Sequence, residues 1–209
     1  MQVKELLRGG QFLVKESHCN DIFTPEDFSD EQLMMKEAVK EFNEREVIAK
    51  RDRFEAKDYA LTEAVMRKAG EMGFLGVSVP EAYGGLDMGF VSTMLVCEYI
   101  SSGTGSFSTA FGAHTGIGTM PITLYGTEAQ KQKYVPKLAS GEWFGAYCLT
   151  EPGAGSDANS GKTTATLSKD GKLASWINAV SLLSQASAPL LFGFILEIFP
   201  KYKFSFSIN

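Results

Sequence analysis

The sequence predicts a mainly α-helical unit that gives way to a short β region near residue 142. Three observations predict it. Ser29 with Gln32 and Thr127 with Gln130 have the spacing of capping boxes, in which a hydroxyl and a Gln side chain satisfy each other's free backbone N–H groups at a helix start. Apolar residues after these starts recur at helical spacing. Past Gly141 the text changes, and residues 143–150 are aromatic and apolar over a stretch too short for a helix.

In order along the chain, residues 1–28 read as irregular, broken by Gly9, Gly10 and Pro25. A helix starts at Ser29, with Met35, Ala38, Val39 and Phe42 on one face. Leu61, Ala64, Val65, Lys68 and Met72 continue the period in a second helix that Gly73 closes as a C-cap. Residues 77–89 hold too many Gly and Pro for an element and read as a loop. Residues 90–101 are mostly apolar and predict a buried helix. Residues 107–117 predict another, with Gly112 and Gly116 as points of close helix approach. The helix headed by Thr127 is expected to stop near Tyr134, because Pro136 restricts the residue before it. Residues 143–150 predict a strand; the alternating, Thr-rich residues 162–167 predict a second, followed by an Asp170-Gly171 hairpin turn.

Composition narrows the function. With 209 residues, 44% apolar and 22% charged, the chain has the make-up of a soluble globular protein. Its net charge of −5 and the absence of a basic run argue against a nucleic-acid partner. Cys19, Cys97 and Cys148 are odd in number and far apart, so no disulfide framework is expected, and His18 and His114 make no metal-binding spacing. Residues 1–15 lack a secretory apolar stretch, which sets the expectation of a cytoplasmic protein.

Glu151-Pro-Gly-Ala-Gly-Ser-Asp157 links the two predicted strands. Gly153 and Gly155, at positive φ, would expose successive N–H groups which with the Ser156 hydroxyl cradle an anion; a plain tight turn is the alternative reading. The loop is not a Walker A motif. Five residues, not four, separate Gly155 from Gly161, and no Gly-x-Gly-x-x-Gly occurs anywhere.

Residues 148–160, Cys-Leu-Thr-Glu-Pro-Gly-Ala-Gly-Ser-Asp-Ala-Asn-Ser, resemble the signature of the acyl-CoA dehydrogenases. Leu75-Gly-Val-Ser-Val-Pro-Glu-Ala-Tyr-Gly-Gly85, Ala113-His-Thr-Gly-Ile-Gly118 and the stretch from Tyr125 to Glu142 are similar to further segments of that family, in the same order, with a very-long-chain-like flavour. The resemblance implies a helical N-terminal domain over residues 29–142 and the beginning of a small β-barrel domain over residues 143–172. It implies FAD as cofactor, with Tyr147, Leu149 and Thr150 along the polar edge of the flavin and Gly155 and Ser156 at the pyrophosphate. It also implies an acyl-CoA substrate, which the family dehydrogenates by removing an α-proton to a Glu carboxylate and a β-hydride to the flavin. Its oligomers form through a domain expected beyond this chain. Phe90, Met94, Leu95 and residues 107–115 would line the acyl cavity by resemblance, although a Met and aromatic stripe at this spacing reads equally as core. His114 reads as a satisfied helix residue, against a polar contact near that cavity.

The catalytic Glu of the family has no counterpart here, so no catalytic residue is assigned. Residues 173–209 are unlike the family. Trp176-Ile177 resembles a flavin-covering segment but lacks the hydroxyl that should follow, and residues 181–209 suggest a shifted reading frame. Residues 173–196 carry no charge, but seven Ser, Asn, Gln or Pro interrupt them, so a membrane span is not expected. Two classes of function follow: a flavoenzyme by descent, or a non-catalytic helical interaction module. Translating the coding DNA in its other frames after Lys172 separates them. Deleting residues 181–209 is expected to leave the melting temperature unchanged; a large fall would show that the segment belongs to the core.

Overall fold

In the computed structural model the described residues are 7, 10–147, 149–162, 165–167 and 173–175. One helical turn, α1 (Gln11–Val14), and two 3-10 turns, Cys19–Asp21 and Pro25–Asp27, occupy part of the stretch expected to be irregular. The Asp27 carboxylate accepts the Thr24 N–H at 2.8 Å, a cap hidden in a segment whose glycines and proline dominate the reading.

Helix α2 (Asp30–Phe42) starts where the capping box puts it. Ser29 Oγ accepts the Gln32 N–H at 3.2 Å, and Gln32 Oε1 accepts the Ser29 N–H at 3.0 Å. Its stripe faces inward, with Val39 and Phe42 buried and Met35 and Ala38 packed against them. A π-helical turn (Asn43–Val47) and a 3-10 turn lead to α3 (Arg51–Glu55), and α4 (Tyr59–Glu71) follows. Its inward face is Leu61, Val65, Met66 and Ala69, rotated from the predicted stripe. Ala64, Lys68 and Met72 are exposed because that edge pairs with solvent-side charge, Lys68 bonding the Glu46 carboxylate. Gly73 ends the helix at φ +80, as expected of a C-cap.

Residues 74–88 form the expected loop, with 3-10 turns at Phe74–Gly76 and Glu81–Tyr83. Helix α5 (Gly89–Ser101) packs on α2 through Ser92, Leu95, Val96 and Ile100. It is buried on one face only, which corrects the expected buried helix: Phe90 is 74% exposed and Met94 44%. The described residues place nothing against that face.

Helix α6 (Gly105–Gly112), a π-helical stretch (Ala113–Thr119) and α7 (Met120–Tyr125) follow as one helical run. A Cβ on Gly112 or Gly116 would meet nothing within 4 Å, so the close approach expected at those glycines is absent. It occurs instead at Gly118, against Gly145. Helix α8 (Glu128–Ala139) begins at the Thr127 box as predicted but runs through Pro136. A mid-helix Pro costs about 3 kcal/mol. Val135, Leu138 and Ala139, all buried, offset this at roughly 1.5–3 kcal/mol for each large side chain.

Two apolar clusters result. The larger gathers residues of α2 to α6 around Phe42, Phe74 and Phe107; the smaller packs Val79 and Ile122 on Tyr134, Val135 and Leu138. Strands β1 (Ala165–Leu167) and β2 (Leu173–Ser175) pair antiparallel with Leu167 opposite Leu173, in keeping with the hairpin read from the sequence. Asp170 and Gly171 lie outside the described residues. So do Trp176 and residues 181–209 and, apart from β2, the uncharged stretch to residue 196. Among the described residues no helix is long and apolar enough to cross a membrane.

Ser29→Ala and Thr127→Ala each remove the acceptor at a helix start and are expected to lower stability by about 1 kcal/mol. Urea unfolding followed by far-UV circular dichroism measures both.

Candidate functional site

After α8 the chain turns at Gly141 and leaves the helical unit along residues 143–150. Two cations hold the turn. Arg67 of α4 donates to the carbonyls of Gly141 and Glu142 at 3.0 and 3.2 Å and pairs with Glu63 at 2.8 Å. Lys137 pairs with Glu142 at 3.0 Å and sits 4.3 Å from the centre of the Trp143 ring, which also packs on Tyr134.

The next residues dock on the π-helical stretch Ala113–Thr119. The Phe144 ring meets the His114 imidazole edge to face at 5.8 Å, with the Arg67 guanidinium over the same ring. Gly145 N–H donates to His114 Nδ1 at 3.0 Å, and His114 Nε2 lies 3.0 Å from the Leu138 carbonyl. A backbone N–H can only donate and a carbonyl can only accept, so Nδ1 is bare and Nε2 carries the proton. Burial pushes the imidazole down to about 4, only partly opposed by the bond to Leu138. His114 is thus a neutral, doubly bonded core histidine. Its position was visible in the sequence as a single His among small and apolar helix residues; its two partners were not, because neither is near it in the chain.

Residues 143–150 carry neither helix nor strand pairing where described, which corrects the predicted strand; Cys148 lies outside the described residues. A strand needs a ladder partner, and among the described residues the ladder joins β1 to β2. Tyr147 and Leu149 are more than half exposed, and Thr150 is exposed as well. Glu151 and Ala154 then exchange backbone hydrogen bonds of 3.1 and 3.0 Å, closing a turn over Pro152 and Gly153. Thr150 and Gly155, each bonded to one of the pair, flank that turn. The Glu151 carboxylate also accepts the Lys162 N–H, and the Ser160 hydroxyl donates to Asp157, so the loop is tied to itself.

Neither Gly153 nor Gly155 takes the positive φ expected of an anion cradle. The Glu151–Ala154 pair closes the turn without it. Gly155 and Ser156 are exposed, and their amides donate to no described residue. Of the residues expected to wall an acyl cavity, Leu95, Phe107 and Phe111 are core, whereas Phe90 and Met94 are exposed. Cys97 is half-buried, and burial pushes its thiol up, away from the reactive thiolate. Among the described residues no three His, Cys, Asp or Glu side chains are grouped to hold a metal ion.

The family described as acyl-CoA dehydrogenase, N-terminal domain, matches residues 29–142. The chain is 45% identical over 167 residues to a probable acyl-CoA dehydrogenase of Bacillus subtilis (strain 168), covering 80% of this chain and 28% of that protein. Its fold is similar to that of an acyl-CoA dehydrogenase complexed with FAD from Bacillus anthracis, with a TM-score of 0.74, 46% identity, and coverage of 78% of this chain and 28% of that one. For butyryl-CoA dehydrogenase from Megasphaera elsdenii the TM-score is 0.63 at 30% identity, covering 70% of this chain and 39% of that one. The chain therefore spans well under half the length of these relatives.

A Cβ on Gly118 would lie 2.5 Å from the Gly145 carbonyl carbon. Gly118→Ala is expected to lower stability by about 1–3 kcal/mol through overpacking. Gly112→Ala, in open space on the same helical run, is expected to be neutral or to stabilise by up to about 1 kcal/mol. Paired urea titrations read the contrast.

Proposed function

Because this chain belongs to the acyl-CoA dehydrogenase family, we propose that it forms the front part of an FAD-dependent enzyme dehydrogenating fatty acyl-CoA thioesters between the α- and β-carbons. The observation that carries the proposal is the segment leaving His114: it is anchored at Gly145 and exposed at Ala146, Tyr147, Leu149 and Thr150. An anchored strip with exposed polar groups suits a ligand laid along it. Tyr147 flanks the flavin. Leu149 offers its backbone and Thr150 its hydroxyl to the polar edge of the ring, where such bonds tune electron affinity. Gly155 and Ser156 offer their exposed backbone amides to the pyrophosphate.

FAD, when bound, supplies the two-electron acceptor for the substrate hydride. The residues here bind and orient it; none is assigned as the base. Exposed Phe90 and Met94 on α5 are available to an acyl chain. Residues 143–172 form the start of the family's β-barrel domain, and homo-oligomers assemble through a further domain of the enzyme. The setting is cytoplasmic fatty-acid metabolism. The FAD complex of the Bacillus anthracis relative and the substrate named for the Megasphaera elsdenii relative support this reading.

A flavin site needs walls on both ring faces, and residues 143–156 supply one edge. Each missing buried contact forfeits about 1–3 kcal/mol, and about 1.4 kcal/mol is tenfold in affinity. The chain alone, gel-filtered after FAD addition at micromolar concentration, is therefore expected to emerge colourless and not to oxidise acyl-CoA. Residues 1–172 joined to the remaining portion of the Bacillus anthracis dehydrogenase are expected to give a yellow protein that is bleached by acyl-CoA, with a flavin spectrum altered by Thr150→Val. A folded but colourless chimera would overturn the proposal.

A further inference from the structure

We propose that His114 is a positioning residue, a neutral latch holding Gly145 and the strip beyond it on the helical unit, and that protonation of Nδ1 releases the strip while leaving the helices folded. What the latch serves rests on the flavin reading above; the latch itself does not.

Three observations carry it. The imidazole is 1% exposed and joined to both sides of the junction, the Leu138 carbonyl on α8 and the Gly145 N–H on the strip. Gly118, one helical turn further on, meets Gly145 backbone to backbone, so two positions of the same π-helical stretch address a single residue. Past Gly145 the strip is exposed as far as it is described through Thr150, and Ala154 is the next buried residue. Among the described residues between Gly145 and Ala154 none is buried.

The two bonds respond oppositely to acid. A protonated ring still donates from Nε2 to Leu138, but its Nδ1–H then faces the Gly145 N–H, donor against donor. Only the strip side is lost. No charged side chain stands in for the lost acceptor. The π-helical stretch, α6 and the Phe74–Gly76 turn carry no other titratable residue; α7 carries Tyr125, which is exposed; on α4, Arg67 is engaged with Glu63 and the Gly141 and Glu142 carbonyls; on α8 and the turn, Tyr134 packs on Trp143 and Lys137 and Glu142 pair with each other.

The sign follows from linkage. A free imidazole titrates near 6.5 and the buried one near 4, so across this window His114 takes up a proton once the strip is released and refuses it while the strip is docked. Docking is at full strength above about pH 6.5. It weakens by up to tenfold per pH unit below that, roughly 150-fold by about pH 4.

The chain has two tryptophans, so Trp176→Phe leaves Trp143, beside the latch, as the sole emitter. In that variant, without FAD, Trp143 emission is expected to shift to the red between about pH 6.5 and about pH 4 while far-UV circular dichroism stays constant. His114→Gln, which cannot take up the proton, is expected to flatten the transition, and Glu142→Gln to leave it in place. Emission that is flat to about pH 4, that moves together with helix loss, or that persists unchanged in His114→Gln would overturn the latch. Should His114→Gln fail to fold, long-range proton–nitrogen spectra of the chain with His114 intact decide: a bare Nδ1 and protonated Nε2 at neutral pH support it, and a protonated Nδ1 overturns it. A chimera that binds FAD with no such transition refutes the latch alone; a transition without flavin binding in the chimera refutes the flavin reading alone.

Discussion

Four side chains on a stretch with no regular helix, Phe74, Leu75, Val77 and Val79, hold the two apolar clusters in one body. The first three are buried in the larger cluster and Val79 in the smaller. Burying each is worth roughly 1.5–3 kcal/mol, more than any single cap or surface pair in the molecule. This span joins the clusters alongside the helical run from α6 to α7, which carries Phe107 and Phe111 in the larger cluster and Ile122 in the smaller. It can pass between them because Gly73 turns the chain sharply off α4 and the 3-10 turn then advances side chains to different sides within a few residues.

The second consequence of that arrangement is a fixed platform for residues 143–150. Val79 packs with Tyr134, Val135 and Leu138, which sets α8, and the C-terminal turn of α8 supplies the Leu138 carbonyl to His114. The ions around the junction are of a different kind. Arg67, Glu63, Lys137 and Glu142 are all substantially exposed, and such pairs contribute little to stability. Their use is geometric: Arg67 grips two carbonyls of the turn that follows α8.

What could be read from the sequence was local. The boxes at Ser29 and Thr127 and the cap at Gly73 rest on contacts within a few residues, and all three appear where the residues put them. What was misread depended on partners distant in the chain. Pro136 is a stop signal by local rules and is overridden by the burial of its neighbours in α8. The stripe on α4 was rotated because Met66 and Ala69 find the core while Lys68 finds Glu46. Gly112 and Gly116 look like Gly118 in sequence, and only the position of Gly145 distinguishes them. Residues 143–150 have strand composition, yet a strand is a property of a pair. Tyr147, Leu149 and Thr150, read as a cofactor edge, lie on an exposed strip, and the sequence did not indicate that a histidine some thirty residues earlier moors it.

The Gly118–Gly145 seam is a contact between two bare backbones, and it converts a steric fact into a counting rule. Its neighbours in the chain are Phe144 and Ala146, and either of them in the slot would bring a side chain to where no Cβ fits. The five residues from Ser140 to Phe144 therefore form a ruler. Exposed Glu142 is free to vary in identity, but adding or removing one residue between α8 and the seam puts a side chain in the slot. Sequence drift at Glu142 is permitted in letters, whereas Gly141 is held by its positive φ and the junction as a whole by its length.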